Sequence, residues 1–555
     1  MNAFTRCVVV VLGAWLFAGS AQPLRAADEP LYEGLGKYSR KVTAASPEAE
    51  KYVNQGLAFL YGFNHGAAIR SFERAAGLDP TCAMAHWGIA MANGPHINFP
   101  LVPPPQAEIA WKELQLAKQH AGKCTQVEKD LIEALSARYA NPQPEDRAPL
   151  DRAYADAMRK VWQKHPADPD VGAFFAEALM DLSPWNQWTK AGEAQPGTEE
   201  VIATLDAVLK LRIDHPFANH LYIHAVEASR HPERADAAAD RLRDLQPGLA
   251  HNVHMPSHID IRNGRWQQAI DQNAKAITAS EDFRKIVGPA KGMLVVYDAH
   301  NRHMLAYAAL MTGQRELAVK EISAMRANIP EDFLKDFSAL AEGFAAMPDE
   351  VLVRFGQWDA ILAAPQPDKP YTPFTNAFHH GARAIAFAAK GDPASARAEQ
   401  KLWAGGVKKI PEGATFGNNT VADLCALASS MVEGEILLRE GKTEDGLSKL
   451  REAVKLEDNL KYDEPPGWMI PARHSLGAFL LKAGKPAEAE QVYRDDLKKL
   501  PDNGWSLYGL AQSLRALGKP GEAAAFEAKF QKVWAKADTK INSSCLCQEG
   551  VTLAP

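Results

Sequence analysis

Apolar residues return at three- and four-residue spacing along most of this chain, the period of a helix with one buried face. Val127, Leu131, Ile132 and Leu135, set among Glu128, Lys129, Asp130 and Glu133, are one instance. Strict alternation of apolar and polar residues, which would mark half-buried strands, does not appear. The helical pattern lapses at proline-rich or irregular stretches, 95–106, 142–149, 183–197 and 364–373. These are read as loops, and long insertions between helices often contribute to binding.

Small residues punctuate the helices at fixed intervals. Between Tyr52 and Pro80 stand Gly56, Ala68, Phe72 and Ala75. Small side chains fall where two helices must cross closely, and Pro80 falls where the second must stop. The same skeleton recurs around Ala235, Ala269, Ala318, Ala396, Ala489 and Ala523, and both Ala235 to Ala269 and Ala489 to Ala523 are steps of 34 residues. This skeleton resembles the tetratricopeptide repeat (TPR), a helix-turn-helix of that length, most clearly over 50–98 and 465–535. The resemblance implies an all-α fold, an α-α superhelix or solenoid of TPR-like helix-turn-helix repeats. At 555 residues the chain is too long for one compact core, which an array of repeats accommodates.

The start of the chain has a different character. Residues 1–27 carry Arg6, then the apolar run Cys7 to Ala18, then small residues, the layout of a cleaved secretory signal peptide. That run is too short to span a bilayer, so no permanent membrane anchor is expected and the mature protein is expected in the periplasm or secreted. Beyond it the sequence divides into N-terminal TPR-like repeats (28–125), degenerate helical pairs with a Trp-rich loop at Trp185 and Trp188 (126–214), histidine-rich TPR-like repeats (215–330), degenerate repeats (331–464), C-terminal TPR repeats (465–535) and a tail with a Cys-x-Cys motif (536–555).

Composition excludes some classes and raises one feature. A net charge of −6 and a pI near 6.3 provide no basic footprint, so nucleic acid is not an expected partner. No zinc-protease, nucleophile-elbow, phosphate-loop or dinucleotide motif is present. The chain does hold 17 histidines, eleven of them from His215 to His380. His220, His254, His303 and His474 each lie fifteen residues before an anchoring alanine, His224 and His258 eleven before, and His251 and His300 eighteen before. Offsets differing by three and four form one stripe on the first helix of a pair. The TPR resemblance implies that this stripe lines the concave groove.

Two pairs, His220/His224 and His254/His258, have the i, i+4 spacing that lets two imidazoles reach one metal ion, with His251, His300, His303 and Glu227 nearby on the same faces. His379, His380, His474 and the thiols Cys545 and Cys547 are additional candidates, two thiolates at that spacing being able to chelate a soft metal. Cys82 and Cys124 are a candidate disulfide, and Cys425 reads as a buried apolar residue. His65, His86, His96, His120, His165, His215 and His231 read as surface or core residues. The expected cofactor is therefore a transition metal, copper favoured, with zinc or iron as alternatives, and any catalysis would be that of a copper-type oxidoreductase. The competing expectation is a metal-free scaffold whose groove grips a peptide or protein.

Overall fold

The computed structural model describes residues 28–547, so the signal-peptide segment and the last eight residues lie outside the described residues. Among the described residues there are twenty-six α-helices and one two-stranded antiparallel ribbon, Thr415–Phe416 with Asn419–Thr420, with Thr415 opposite Thr420. The fold is all-α, a solenoid of TPR-like helix pairs. The short ribbon departs from the strand-free expectation. It closes at Gly417, whose φ of 58° suits glycine. Of the four irregular stretches, 183–197 falls between helices as expected, whereas 95–106, 142–149 and 364–373 each run into the first turn of the next helix, at Pro104, Ala148 and Pro373. No helix among the described residues is long and apolar enough to cross a membrane.

Local signals start these helices. Ser46 accepts from the Ala49 amide while Pro47 occupies the first turn of the Pro47–Tyr61 helix. Thr125 and Glu128 form a capping box on the Gln126–Leu135 helix. Packing then follows the small-residue skeleton. All seven anchoring alanines, Ala68, Ala235, Ala269, Ala318, Ala396, Ala489 and Ala523, are completely buried. Beside Ala68 the ring of Phe72 is clamped between Gly56 and Gly88, where an added Cβ would come within 2.6 and 2.5 Å of the ring. Beside Ala489 the ring of Tyr493 is clamped in the same way between Gly477 and Gly509, at 2.3 and 2.2 Å. One packing unit is thus reused with a different aromatic, because the helices can approach that closely only where no Cβ intervenes.

The chain forms two compact units. One holds residues 28–259 and Lys275–Leu294, and the other holds Asp260–Ala274 and 295–547. In the second, the end of the chain is pinned among helices. Ser544 Oγ donates to the His474 carbonyl at 2.8 Å and meets the Tyr493 hydroxyl at 2.6 Å. Cys82 and Cys124, a candidate pair, are both free and buried, with Cys82 Sγ directed to the Thr43 carbonyl at 3.6 Å. Cys425 is a free buried cysteine, as its apolar reading required.

Candidate metal centre

Three short helices of the first unit bring five histidines together. The Pro216–Val226 helix starts with Pro216 and is capped by His215, whose Nδ1 accepts from the Ala218 amide at 3.2 Å, and it carries His220 and His224 one turn apart. The Ala250–His254 helix carries His251 and His254. The Pro256–Arg262 helix, restarted by Pro256, carries His258. All five rings are buried, His220 and His254 completely. The sequence stripe is therefore a buried face in this structure and is not the open groove wall that the TPR resemblance implied.

The ring nitrogens are sorted by what faces them. His220 Nδ1 lies 2.7 Å from the Tyr61 carbonyl, which can only accept, so the proton sits on Nδ1 and Nε2 presents a lone pair. Tyr61 is itself fixed, its hydroxyl donating to Asp170 at 2.5 Å. Glu227 Oε1 lies 2.7 Å from His224 Nδ1 and Oε2 lies 2.7 Å from His258 Nδ1. The carboxylate thus assigns Nδ1–H to His224 and leaves its Nε2 as a lone pair, while its contact with His258 is that of an ion pair. His251 Nε2 is 3.1 Å from His220 Nε2. His224 Nε2 is buried without a hydrogen-bond partner among the described residues. His220, His224 and His251 each offer a ligand atom, and those atoms lie within 4.8 Å of one another.

This donor set fits a metal ion. A buried acceptor nitrogen without a partner costs about 1–3 kcal/mol. A carboxylate behind a ligating histidine is the usual outer partner in histidine metal sites. Glu227, expected among the ligands, lies behind His224, where such an outer partner would stand, and its second oxygen makes an ion-pair contact with His258. The electrostatics agree. Burial, reinforced by His224, holds His220 well below its ordinary pKa, and burial lowers His224 although Glu227 opposes it. Neutral imidazole is the ligating form. Burial would raise the Glu227 pKa, but the facing His258 and His224 hold it well below the usual carboxylate range.

Aromatic residues cover the cluster. The Phe63 ring lies 4.5 Å from His220 and 5.5 Å from His251, and it stacks at 6.2 Å on His224. Trp185, half-buried in the 183–197 loop, meets His224 edge-on at 5.1 Å. Trp188 Nε1 holds that loop to the Ala225 carbonyl at 2.7 Å. Phe63 and Trp185 have φ of 54° and 59°, two of three non-glycine residues in the left-handed region among the described residues. His65 and His96, read from sequence as ordinary surface or core residues, stack on each other at 4.1 Å, with His96 4.9 Å from Phe63. The sequence did carry a signal for Phe63. It stands five residues before Ala68, where Gly264, Gly313, Gly391, Gly484 and Gly518 precede their own alanines.

Of the remaining candidates, His303, His379, His380 and His474 are directed to other partners. His300 and His303 lie on the Met293–Met311 helix, His300 half-buried. His303 Nε2 lies 3.1 Å from the Met469 sulfur, its ring among Phe344 and Phe416, and burial pushes its pKa down to about 3. His379 and His380 diverge, the first to Asp349 at 2.9 Å and the second to Glu399 at 2.7 Å. His474 Nε2 pairs with Asp496 at 3.0 Å. Cys545 and Cys547, expected as a thiolate chelate, are joined in a disulfide with Cα atoms 5.2 Å apart. Sulfurs bonded to each other lack the thiolate charge that binds a soft metal.

Fold and site together define an all-α solenoid of TPR-like repeats with a buried histidine cluster in its first unit. No family model matches the sequence, and no curated protein matches it. Among solved structures the chain is similar to a human IFIT1 dimer with PPP-AAAA, at 12% identity over 88% of this chain and 92% of that one, with a TM-score of 0.32. It is also similar to the P58(IPK) TPR domain, at 14% identity over 74% of this chain and 93% of that one, with a TM-score of 0.20. Superpositions this loose have no bearing on what the chain binds.

Proposed function

We propose that this protein binds a transition metal through His220, His224 and His251, with Glu227 as the outer carboxylate. The observation that carries the reading is the convergence of three buried imidazole ligand atoms within 4.8 Å of one another, two of the rings having Nδ1 committed to an acceptor. An all-imidazole set suits copper or zinc, and among divalent ions copper binds nitrogen sites most tightly, so copper is favoured, with zinc or iron as alternatives. Bound copper would supply one-electron redox chemistry. What the chain itself supplies is a buried donor set, Nδ1–H tautomers at His220 and His224, and an aromatic cover of Phe63 and Trp185. On this reading, any activity is that of a copper-type oxidoreductase.

An oxidising location supports the reading, through the signal-like segment 1–27 and the disulfide of Cys545 with Cys547. The alternative is a metal-free scaffold holding a peptide or protein partner. Burial of the histidine stripe disfavours it, because side chains this enclosed cannot contact a peptide lying in an open groove. The deciding experiment is elemental analysis of full-length protein purified from its native compartment. At least one equivalent of metal is expected, lost from the His220→Ala/His224→Ala variant; absence of stoichiometric metal in the unaltered protein would sink the reading.

A further inference from the structure

We propose that the second unit holds a binding site for a small oxyanion, taken up side-on by the guanidinium of Arg354. The inference is independent of the metal reading, which concerns the first unit.

Arg354 differs from the other buried arginines. Among the described residues four are buried, Arg138, Arg302, Arg354 and Arg473. Three of these face a carboxylate: Arg138 pairs with Asp181 at 2.5 Å, Arg302 with Glu321, and Arg473 with Asp458 at 2.7 Å. Arg354, the last residue of the Ser338–Arg354 helix, is 3% exposed and makes no ion pair among the described residues. Burial holds its pKa well below the ordinary arginine value, an effect that Asp496 and Tyr493 only partly offset. Asp496 is engaged elsewhere, its Oδ2 meeting His474 Nε2 at 3.0 Å, Ser506 Oγ at 2.7 Å and Asn503 Nδ2 at 2.9 Å. A charge taken out of water is costly unless a counter-charge and hydrogen bonds meet it.

The unmet donors form one edge of the guanidinium. Arg354 Nη1 donates to the Ser544 carbonyl at 3.3 Å, whereas Nε and Nη2 are buried without a hydrogen-bond partner among the described residues. Nε–H and one N–H of Nη2 point the same way, and that fork takes two oxygens of a carboxylate or phosphate bidentately. The Trp505 ring lies against the guanidinium face, its centroid 3.4 Å from Cζ, and is itself fixed by Nε1 donating to the Leu310 carbonyl at 2.8 Å. Held on its face by the ring and at Nη1 by a carbonyl, the guanidinium keeps the fork in one direction. A water molecule would meet the hydrogen bonds but not the charge; an oxyanion meets both.

The test is calorimetric titration of full-length protein, dialysed free of multivalent anions, with sodium acetate and with sodium phosphate, sodium chloride at equal ionic strength serving as the reference. One saturable site for at least one of the two oxyanions is expected. Arg354→Lys, which keeps the charge but loses the fork, should weaken that binding about tenfold or more, with far-UV circular dichroism confirming the fold. If that variant does not fold, the melting temperature of the unaltered protein decides: it should rise to a plateau with acetate or phosphate and not with chloride. Acetate binding supports the site and assigns it a carboxylate ligand, whereas phosphate binding supports it and assigns a phosphate. Chloride binding as tight as that of either oxyanion overturns the bidentate site. Absence of saturable binding, or binding that Arg354→Lys leaves unchanged, overturns it too.

Discussion

The ring of Phe63 lies 4.5 Å from that of His220, and its backbone sits at a φ of 54°. The equivalent turns elsewhere use glycine at this point, with φ from 70° at Gly313 to 79° at Gly391. A left-handed non-glycine residue costs about 1–2 kcal/mol. The chain bears that cost at one repeat, and the side chain so placed closes over three histidines. Strain of this kind collects where a site needs a particular side chain.

Phe63→Gly separates the two effects. It relieves the backbone but removes a buried ring, a loss of about 3–5 kcal/mol before relief, so a net destabilisation of roughly 2–4 kcal/mol is expected in urea unfolding. Metal release to a chelator should accelerate as well. Phe63→Leu, which keeps both the strain and much of the burial, should release metal at an intermediate rate. Equal release rates in all three proteins would show that the ring is packing alone.

Glu227→Gln tests the outer carboxylate. An amide is neutral and can turn its NH2 towards His224, so the acceptor that fixes His224 Nδ1–H is weakened or lost. Metal affinity measured by chelator competition should fall about 10–100-fold. Unchanged affinity would mean that Glu227 does not orient the ligands.

The repeat packing predicts opposite outcomes for two glycines. Gly477→Ala drives a Cβ to within 2.3 Å of the Tyr493 ring, which Gly509 confines on its other side, so a loss of about 1–3 kcal/mol or more is expected. Gly405 lies in the Pro393–Val407 helix with nothing within 4 Å of an added Cβ. Gly405→Ala should therefore stabilise by about 0.5–1 kcal/mol through helix propensity. Thermal melts of the two variants provide the comparison.

His303 makes stability depend on pH. Burial holds its folded pKa at about 3, against 6.5 ordinarily. Below 6.5 the unfolded chain takes up a proton that the folded chain refuses, so its contribution is fully present above that pH and falls as the pH drops towards 3. The slope is about 1.4 kcal/mol per pH unit. Between pH 7 and pH 5 the metal-free protein should lose about 2 kcal/mol more than His303→Gln. Parallel pH profiles for the two proteins would contradict a buried neutral His303.

Helix pairing was legible in the sequence because close helix crossing demands small residues at fixed intervals wherever it occurs. Gly56 and Gly477 each stand twelve residues before a buried alanine, and each faces an aromatic ring. The histidine column was legible for the same reason. Offset within a repeat determines which face a side chain occupies, and His220, His254, His303 and His474 are all buried there. What lies opposite that face belongs to other parts of the chain. His220 meets the Tyr61 carbonyl 159 residues away, whereas His303 meets Met469 and His474 meets Asp496. With His254 meeting the His258 imidazole, four residues at one repeat position thus acquire four kinds of partner. Only the tertiary structure decided which imidazoles converge with their lone pairs facing inward, because a tautomer is set by the acceptor that packing brings to the ring.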